Sequence, residues 1–492
     1  MATMKASASL PLVLLAIAAC TTTAPDAELA SADVKGETAE DVIVFFRGNA
    51  DLAPAAGLAS REARGRFVYD ALVEHAHTSQ AGVVKLLEAA RIRYQSFHVV
   101  SAIKVTAASA ELIATLKAQP GVSRVVADTP TRKLALPELS AEDESGVEAV
   151  GDNLSATGAD RVWAEGTTGE GVVIAGQDTG YTWDHPALKR AYRGWDGSTA
   201  DHSYSWHDSI RTGTNTPCGV NTTAPCDDDD HGTHTMGTMV GDDGADNKIG
   251  MAPGARWIGC RNMNKGVGKP STYMECFEWF LAPYPQGKDP QVDGKPEMAP
   301  HVINNSWGCD GSEGCSGTEM VQLVKNVEAA GIMVVVSAGN DGSSCGTITT
   351  QPATISDATL SVGAYNHRTG AIASFSSRGP SKLDGNVGPD VTAPGVSIRS
   401  SVKNGTYQSS FWSGTSMAGP HVAGEVALLW SAVPSLRGNI AATTEIIERS
   451  AKPTTSTQSC GGVSGSTIPN NTFGWGVIDA YAAVQAGRSR SQ

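Results

Sequence analysis

The chain has 492 residues and a formal net charge of -14, a balance that argues against nucleic acid as a partner and suits an exported protein in water. Its apolar runs are too few for a polytopic membrane protein, and its length predicts two or three domains. The 54 glycines fit a loop-rich α/β enzyme better than a helical bundle.

Residues 1–19 read as an export signal: Lys5, an apolar run from Leu10, then small residues up to Cys20. That run, about ten residues long, is too short for a transmembrane helix. The stretch Ile17-Ala18-Ala19-Cys20 resembles a bacterial lipoprotein processing site with Cys20 as the lipidated residue, whereas Ala16-Ile17-Ala18 offers an ordinary cleavage site. Nine cysteines less Cys20 leave eight, an even set suited to disulfides in an oxidising compartment, and this favours the lipid. The expected location is the bacterial envelope for the precursor and the periplasm or medium for the mature domain. Residues 20–40 are rich in Thr, Ala, Ser and acidic side chains, have little to bury, and read as a flexible tether.

Residues 41–133 predict a small domain. Val42 to Phe46 is a strand, and helical spacing follows through Phe67, Leu72, Val73, Val84, Leu86 and Leu87. Residues 97–105 make two strand pieces, 111–117 a helix and 122–126 a last strand. The order β-α-β-β-α-β is that of a split βαβ, ferredoxin-like α+β fold. Residues 134–152 are acidic, turn-rich and aperiodic, which predicts an exposed linker. From 153 on, apolar runs alternate with helical stretches, the pattern of a doubly wound parallel α/β sheet. Strands are predicted at 171–176, 256–260, 301–305, 332–337 and 359–362, and helices at 231–240, 272–281, 319–330 and 416–432. FGWGVIDAYAAVQA at 473–486 closes this domain at 487 and leaves a tail, 488–492.

In FWSGTSMAGPHVAG, 411–424, small residues crowd the hydroxyl of Ser416 at the start of a helix that is apolar on most faces and therefore buried. Unpaired N–H groups and the positive end of the dipole favour a developing negative charge there. Gly414 allows a tight turn, and Pro420 is expected in the first helical turn, where its missing N–H costs nothing. A serine so placed is most often only a cap, but two other segments shift the balance. GQDTG at 176–180 puts Asp178 at the carboxyl end of a strand, where open α/β sheets bind ligands. HGTH at 231–234 opens a helix with His231, whose imidazole can serve as base and then acid near neutral pH. A serine nucleophile needs such a base, and the base needs an orienting carboxylate.

GTSMAGPHVAG, DDHGTHTMGTMVG and GQDTG, with Asp, His and Ser in that order, resemble the motifs of the subtilisin-like serine proteases. WDHPAL at 183–188 and PEMAPHVINNSWG at 296–308 extend the resemblance over about residues 150–485. It implies a serine endopeptidase acting on proteins or peptides without a catalytic cofactor. It also implies that residues 41–133 are an inhibitory propeptide, cut off within 134–152. Ser416 is then the nucleophile, His231 the base and Asp178 its partner. The Asn340 amide and the Ser416 backbone N–H are the oxyanion donors. Asn304 and Asn305 are rivals for that role, although they match the family's substrate-lining strand. Ser306, Trp307, Gly308, Ala338 and Gly339 should wall the pocket before the scissile bond. Met263 to Gly268, Gly266 included, should pair with the substrate backbone as an added strand.

DDDDHGTH at 227–234 could pass for a metal cluster, but HExxH spacing is absent. The expected reading is a solvated acidic loop, with structural calcium, which the family often binds, as the minority alternative. No ligand set transfers to numbered positions. His234 and His421 are expected to be packing residues. Proximity favours the disulfides Cys218–Cys226 and Cys309–Cys315 and leaves Cys260, Cys276, Cys345 and Cys460 unassigned. Glu425 interrupts the apolar helix and predicts either a route to solvent, a partner, or a less buried helix.

Overall fold

The computed structural model describes residues 39–130 and 151–490, apart from 214, 310–314, 316–319 and 409–411. The expected signal, Cys20, the tether up to residue 38 and nearly all of the linker lie outside the described residues. From Ala39 on the chain is one unit, within which two folds share a core.

The N-terminal module runs β1 (Glu40–Phe46), α1 (Arg61–Ala89), β2 (Tyr94–Phe97), β3 (Ala102–Ala108), α2 (Ala110–Lys117) and β4 (Val122–Ala127), in the predicted order. Its sheet is antiparallel with order β2-β3-β1-β4. Ser60 and Ser109 cap the two helices by accepting from the Ala63 and Leu112 N–H groups. Strand β1 explains the docking by its period of two. Val42, Val44 and Phe46 face the module's own core with Val83, Leu87 and Leu116. Ile43 and Phe45 face a second core shared with the large domain.

The large domain opens with short helices α3 (Asp152–Ala156), α4 (Ala159–Ala164) and α5 (Pro186–Lys189). Its sheet holds β5 (Val173–Asp178), β6 (Trp206–Asp208), β7 (Arg256–Arg261), β10 (Val302–Asn305), β11 (Met333–Ser337), β12 (Leu360–Tyr365) and β13 (Val391–Pro394). A separate hairpin is made by β8 (Met263–Asn264) and β9 (Val267–Gly268). The seven strands lie in the order β13-β12-β11-β10-β5-β7-β6, every neighbouring pair parallel. The predicted α/β parallel sheet is therefore present. Strands β6 and β13, three and four residues long, were not foreseen because runs so short carry no periodic signal.

Helices α6 (His231–Val240), α7 (Pro270–Leu281), α8 (Val321–Ala329), α9 (Thr415–Ala432), α10 (Ile440–Ser450) and α11 (Ala480–Arg490) complete the domain. Helix α10 was not foreseen. The expected tail from 488 is corrected: α11 runs to Arg490, held by ion pairs from Arg488 to Glu165 and from Arg490 to Glu445.

Helix α9 packs on α6 and across β10 to β13, and every residue from Thr415 to Trp430 is buried. Glu425 has no route to solvent and, among the described residues, no hydrogen-bond partner for either oxygen. Burial raises its pKa well above the carboxylate range, so it sits in the core as a neutral acid. Four disulfides form. Cys218–Cys226 and Cys309–Cys315 pair as expected, while Cys260–Cys276 ties β7 to α7 and Cys345–Cys460 closes a span of 115 residues.

Candidate active site

Strand β5 has β10 on one side and β7 on the other, so the chain changes direction across the sheet at β5. Crevices at the carboxyl ends of strands open at such a point. Asp178 is the last residue of β5, and its Oδ1 lies 2.7 Å from His231 Nδ1. An ionised carboxylate can only accept, so Nδ1 carries the proton and a neutral His231 keeps its lone pair on Nε2. That Nε2 is buried and has no hydrogen-bond partner among the described residues. Burial pulls the His231 pKa down. The Asp178 charge and hydrogen bond, with Asp229 and Asp227 beyond, more than offset it and hold the pKa above the ordinary imidazole value.

Asp227 joins the two elements that carry this pair. Its Oδ1 accepts from Thr179 Oγ1 at 2.9 Å and from the Asp229 and Asp230 N–H groups at 3.0 Å each. Its Oδ2 accepts from Thr233 N and Oγ1 at 2.9 and 2.6 Å. Thr179 Oγ1 in turn accepts from Gly232 N at 3.0 Å. One carboxylate thus ties the residue after Asp178 to the first turn of α6. The approach requires a glycine at 180, where φ is +120° and a Cβ would lie 1.8 Å from the Cys226 carbonyl oxygen. Burial raises the Asp227 pKa to about 6 despite these donors.

The solvated-loop expectation for 227–230 is therefore corrected. Asp228 takes Arg261 and the Lys265 N–H, and Asp230 pairs with Lys403 at 2.9 Å. With these carboxylates engaged by protein donors, the loop does not fit a cation, and no group of three or more His, Cys, Asp or Glu suited to a metal occurs among the described residues. His234 bonds the Ile398 carbonyl at 2.9 Å and stacks on Trp412, with centroids 4.6 Å apart. His421 bonds Met417 O and Asn153. Burial lowers both pKa values to about 3, so both are neutral packing residues.

Ser416 is the second residue of α9, after Gly414. Its Oγ donates to the Ser306 carbonyl at 3.2 Å, Ser306 Oγ donates to the Ser416 carbonyl at 3.0 Å, and Asn304 Nδ2 donates to Ser306 Oγ at 2.9 Å. Pro420 is corrected from the first turn to the helix interior, four residues after Ser416. Its missing N–H would have bonded the Ser416 carbonyl, and Ser306 Oγ supplies that bond instead. The structure pairs Asp178 with His231 and packs α6 against α9, but Ser416 Oγ is turned to Ser306 rather than to His231.

Asn340 Oδ1 accepts from both Thr415 N and Thr415 Oγ1 at 2.9 Å. A backbone N–H can only donate, so the oxygen faces Thr415 and the Nδ2 hydrogens are left without a partner among the described residues. Asn304 and Asn305 are buried, and the latter is fixed by Gln177 and the Val335 carbonyl.

One substrate-contact expectation changes, that for Trp307. Met263 to Gly268 is a two-stranded hairpin, with Met263 opposite Gly268, with Lys265 and Gly266 at positive φ in the turn, and with no third strand paired to it among the described residues. The Met263 side chain is buried in the shared core. Trp307 turns its indole inward against Tyr273, 3.8 Å between centroids, so only its backbone is left to line a groove. Ala338 is buried and Gly339 donates its N–H to Thr415 Oγ1. Gly308 has no room for a side chain beside Thr350.

A parallel sheet with Asp, His and Ser brought in from β5, α6 and α9 is the framework of one class, and residues 169–476 match the subtilase family. The chain belongs to that family. It is 34% identical over 481 residues to bacillopeptidase F of Bacillus subtilis (strain 168), an alignment covering 90% of this chain and 31% of that protein. It is 34% identical over 280 residues to subtilisin DY of Bacillus licheniformis, covering 56% of this chain and 83% of that one. Subtilisin E of Bacillus subtilis (strain 168) shares 32% over 273 residues, 55% of this chain and 58% of the relative. The chain thus spans about a third of the length of bacillopeptidase F.

Proposed function

We propose that this chain is the self-inhibited precursor of an exported serine endopeptidase that cuts protein or peptide substrates with Asp178, His231 and Ser416. The carrying observation is the Asp178–His231 hydrogen bond, which leaves a buried Nε2, unpartnered among the described residues, on the helix packed against that of Ser416. In the reaction Ser416 Oγ leaves the Ser306 carbonyl and gives its proton to Nε2 as it attacks the scissile carbonyl. Nucleophile–base hydrogen bonds often form only in the loaded site. Asp178 stabilises the imidazolium, and the Ser416 N–H with Asn340 Nδ2 receives the oxyanion. The imidazolium then protonates the leaving amine, and water repeats the cycle on the acyl-enzyme.

Residues 41–133 act as the inhibitory propeptide. Asp128, just after β4, accepts from Ser271 N and Oγ at 2.9 and 2.7 Å, at the first turn of α7. The chain beyond it therefore leaves from beside the hairpin at 263–268, where a substrate backbone would enter. Cleavage within 134–152 frees the protease from the module and from a lipid on Cys20, releasing it from the membrane. Among the described residues no helix is long and apolar enough to cross a membrane.

A fluorophosphonate probe should label Ser416 with or without a chelator, and the Ser416→Ala precursor should persist uncleaved in the membrane fraction. Labelling abolished by the chelator, or maturation of purified Ser416→Ala protein, would overturn the reading.

A further inference from the structure

A cleft of about 490 Å³ lies between the N-terminal module and the large domain, within the range of small-molecule sites. Its lining runs from Ala56 to Arg64 on one side and through Lys325, Glu328 and Arg437 to Ala441 on the other. Arg61 donates to the carbonyls of Ala299 and Pro300, and Arg64 to those of Gly438 and Ala329 at 2.8 and 3.1 Å. Arg437 donates to Trp430 O at 3.0 Å. Among the described residues none of the three guanidiniums forms an ion pair, in contrast to Lys325, which meets Asp357 at 2.7 Å. The Nε atoms of Arg61 and Arg64 are buried and, among the described residues, unpartnered.

Glu62 acts at a distance on Arg61 and Arg437, and Glu328 on Arg64, but neither closes an ion pair with them, and Arg64 and Arg437 repel Arg61. Burial, opposed by Glu62 and reinforced by Arg64 and Arg437, lowers the Arg61 pKa to about 10. Glu328 is the cleft's own acid, its pKa raised by burial and the Asp357 charge and lowered by Lys325 and Arg64. The capped starts of α1 and α10, at Ser60 and Asn439, also line the cleft and add the positive ends of their dipoles.

We propose that this cleft binds a multivalent oxyanion of the phosphate class, of pyrophosphate size and charge, which fastens the N-terminal module to the large domain. The inference rests on the reading that the module later leaves. Arg61 and Arg64 belong to the module and Lys325 and Arg437 to the large domain, so the anion binds only the docked state. At a hundred times its dissociation constant it lowers the undocked population about a hundredfold. It does so away from the chemistry: Arg61 grips the carbonyls just before β10, whose opposite end leads to Ser306.

The test is calorimetric titration of pyrophosphate into the full Ser416→Ala chain at ionic strength held constant with chloride. One saturable site is expected, with slower amide exchange across the start of α1 when it is filled. Arg64→Gln and Arg437→Gln should each weaken binding at least about tenfold, the loss of one charge-assisted pair. Lys325→Gln, at a half-buried position on the rim of the cleft, should weaken it by a smaller factor. The inference is overturned by the absence of saturable binding, by equal affinity in all three variants, or by binding that leaves exchange unchanged. Citrate binding as tightly as pyrophosphate would overturn the phosphate assignment. Because the modules stay joined in Ser416→Ala, the result stands apart from probe labelling of the wild-type enzyme, which tests the proposed activity.

Discussion

Glu278 offers the sharpest test of how the module is held. From the middle of α7 its Oε2 accepts from the backbone N–H groups of His98 and Val99 at 2.5 and 3.1 Å, and lies 3.0 Å from His98 Nδ1. None of these groups reaches solvent. In Glu278→Ala two buried N–H donors lose their acceptor, at about 1–3 kcal/mol each. Opening of the 98–100 turn should become easier by about 2–6 kcal/mol, which at 1.4 kcal/mol per tenfold spans roughly thirtyfold to over ten-thousandfold. Glu278→Gln keeps a carbonyl acceptor and should cost about 1 kcal/mol. Hydrogen exchange at His98, Val99 and Val100 in the Ser416→Ala chain, corrected for intrinsic rates, measures both. The pH dependence adds a second signature. Burial raises the Glu278 pKa from 4.5 to about 8, the His98 and Val99 N–H groups opposing it. The docked carboxyl keeps a proton that the undocked one loses, so the Glu278 contribution to protection should be full below 4.5 and fall as pH rises through about 8, while His98, whose pKa burial lowers to about 3, adds a separate loss as pH falls below 6.5. Glu278→Gln should abolish the Glu278 slope. Equal effects of Ala and Gln, or a slope unchanged in Gln, would refute the reasoning.

Asp227→Asn replaces an acceptor of five donors by a group with only one oxygen, so the link between Asp178 and α6 loosens; kcat should fall by up to about a hundredfold. The same change removes a negative charge near His231, so the acid limb of kcat/KM should move to lower pH; a limb that stays put would leave Asp227 a merely structural role. Asn340→Ala should lower kcat about 10²–10³-fold with little change in KM, because the amide serves charge present only in the transition state, and an effect confined to KM would contradict that. In the wild-type enzyme activity should fall as pH drops through the His231 pKa, held above the ordinary imidazole value mainly by Asp178 against burial; a rate flat from neutral pH down to about 4.5 would exclude His231 as base.

The order of elements was legible in the sequence because it depends on local periodicity. The β-α-β-β-α-β module, the core strands of the parallel sheet and helices α6, α7 and α9 all announce themselves by apolar spacing or by a start signal. Asp178, His231 and Ser416 stood out because the short motifs around them are contiguous in the chain. Tertiary structure decided what depends on residues far apart. Pro420 is tolerated inside α9 because Ser306, more than a hundred residues earlier, satisfies the carbonyl it leaves unpaired. The acidic run became a latch because Thr179, just after β5, and Arg261, at the end of β7, meet it from elsewhere in the chain. Glu425 gave no sign that it would be buried neutral, since burial is a property of the packed neighbours rather than of the residue. The arginine cleft also exists only where two separately readable modules meet. Local spacing sets which elements form; desolvation and long-range hydrogen bonding, which have no local signature, set which side chains act together.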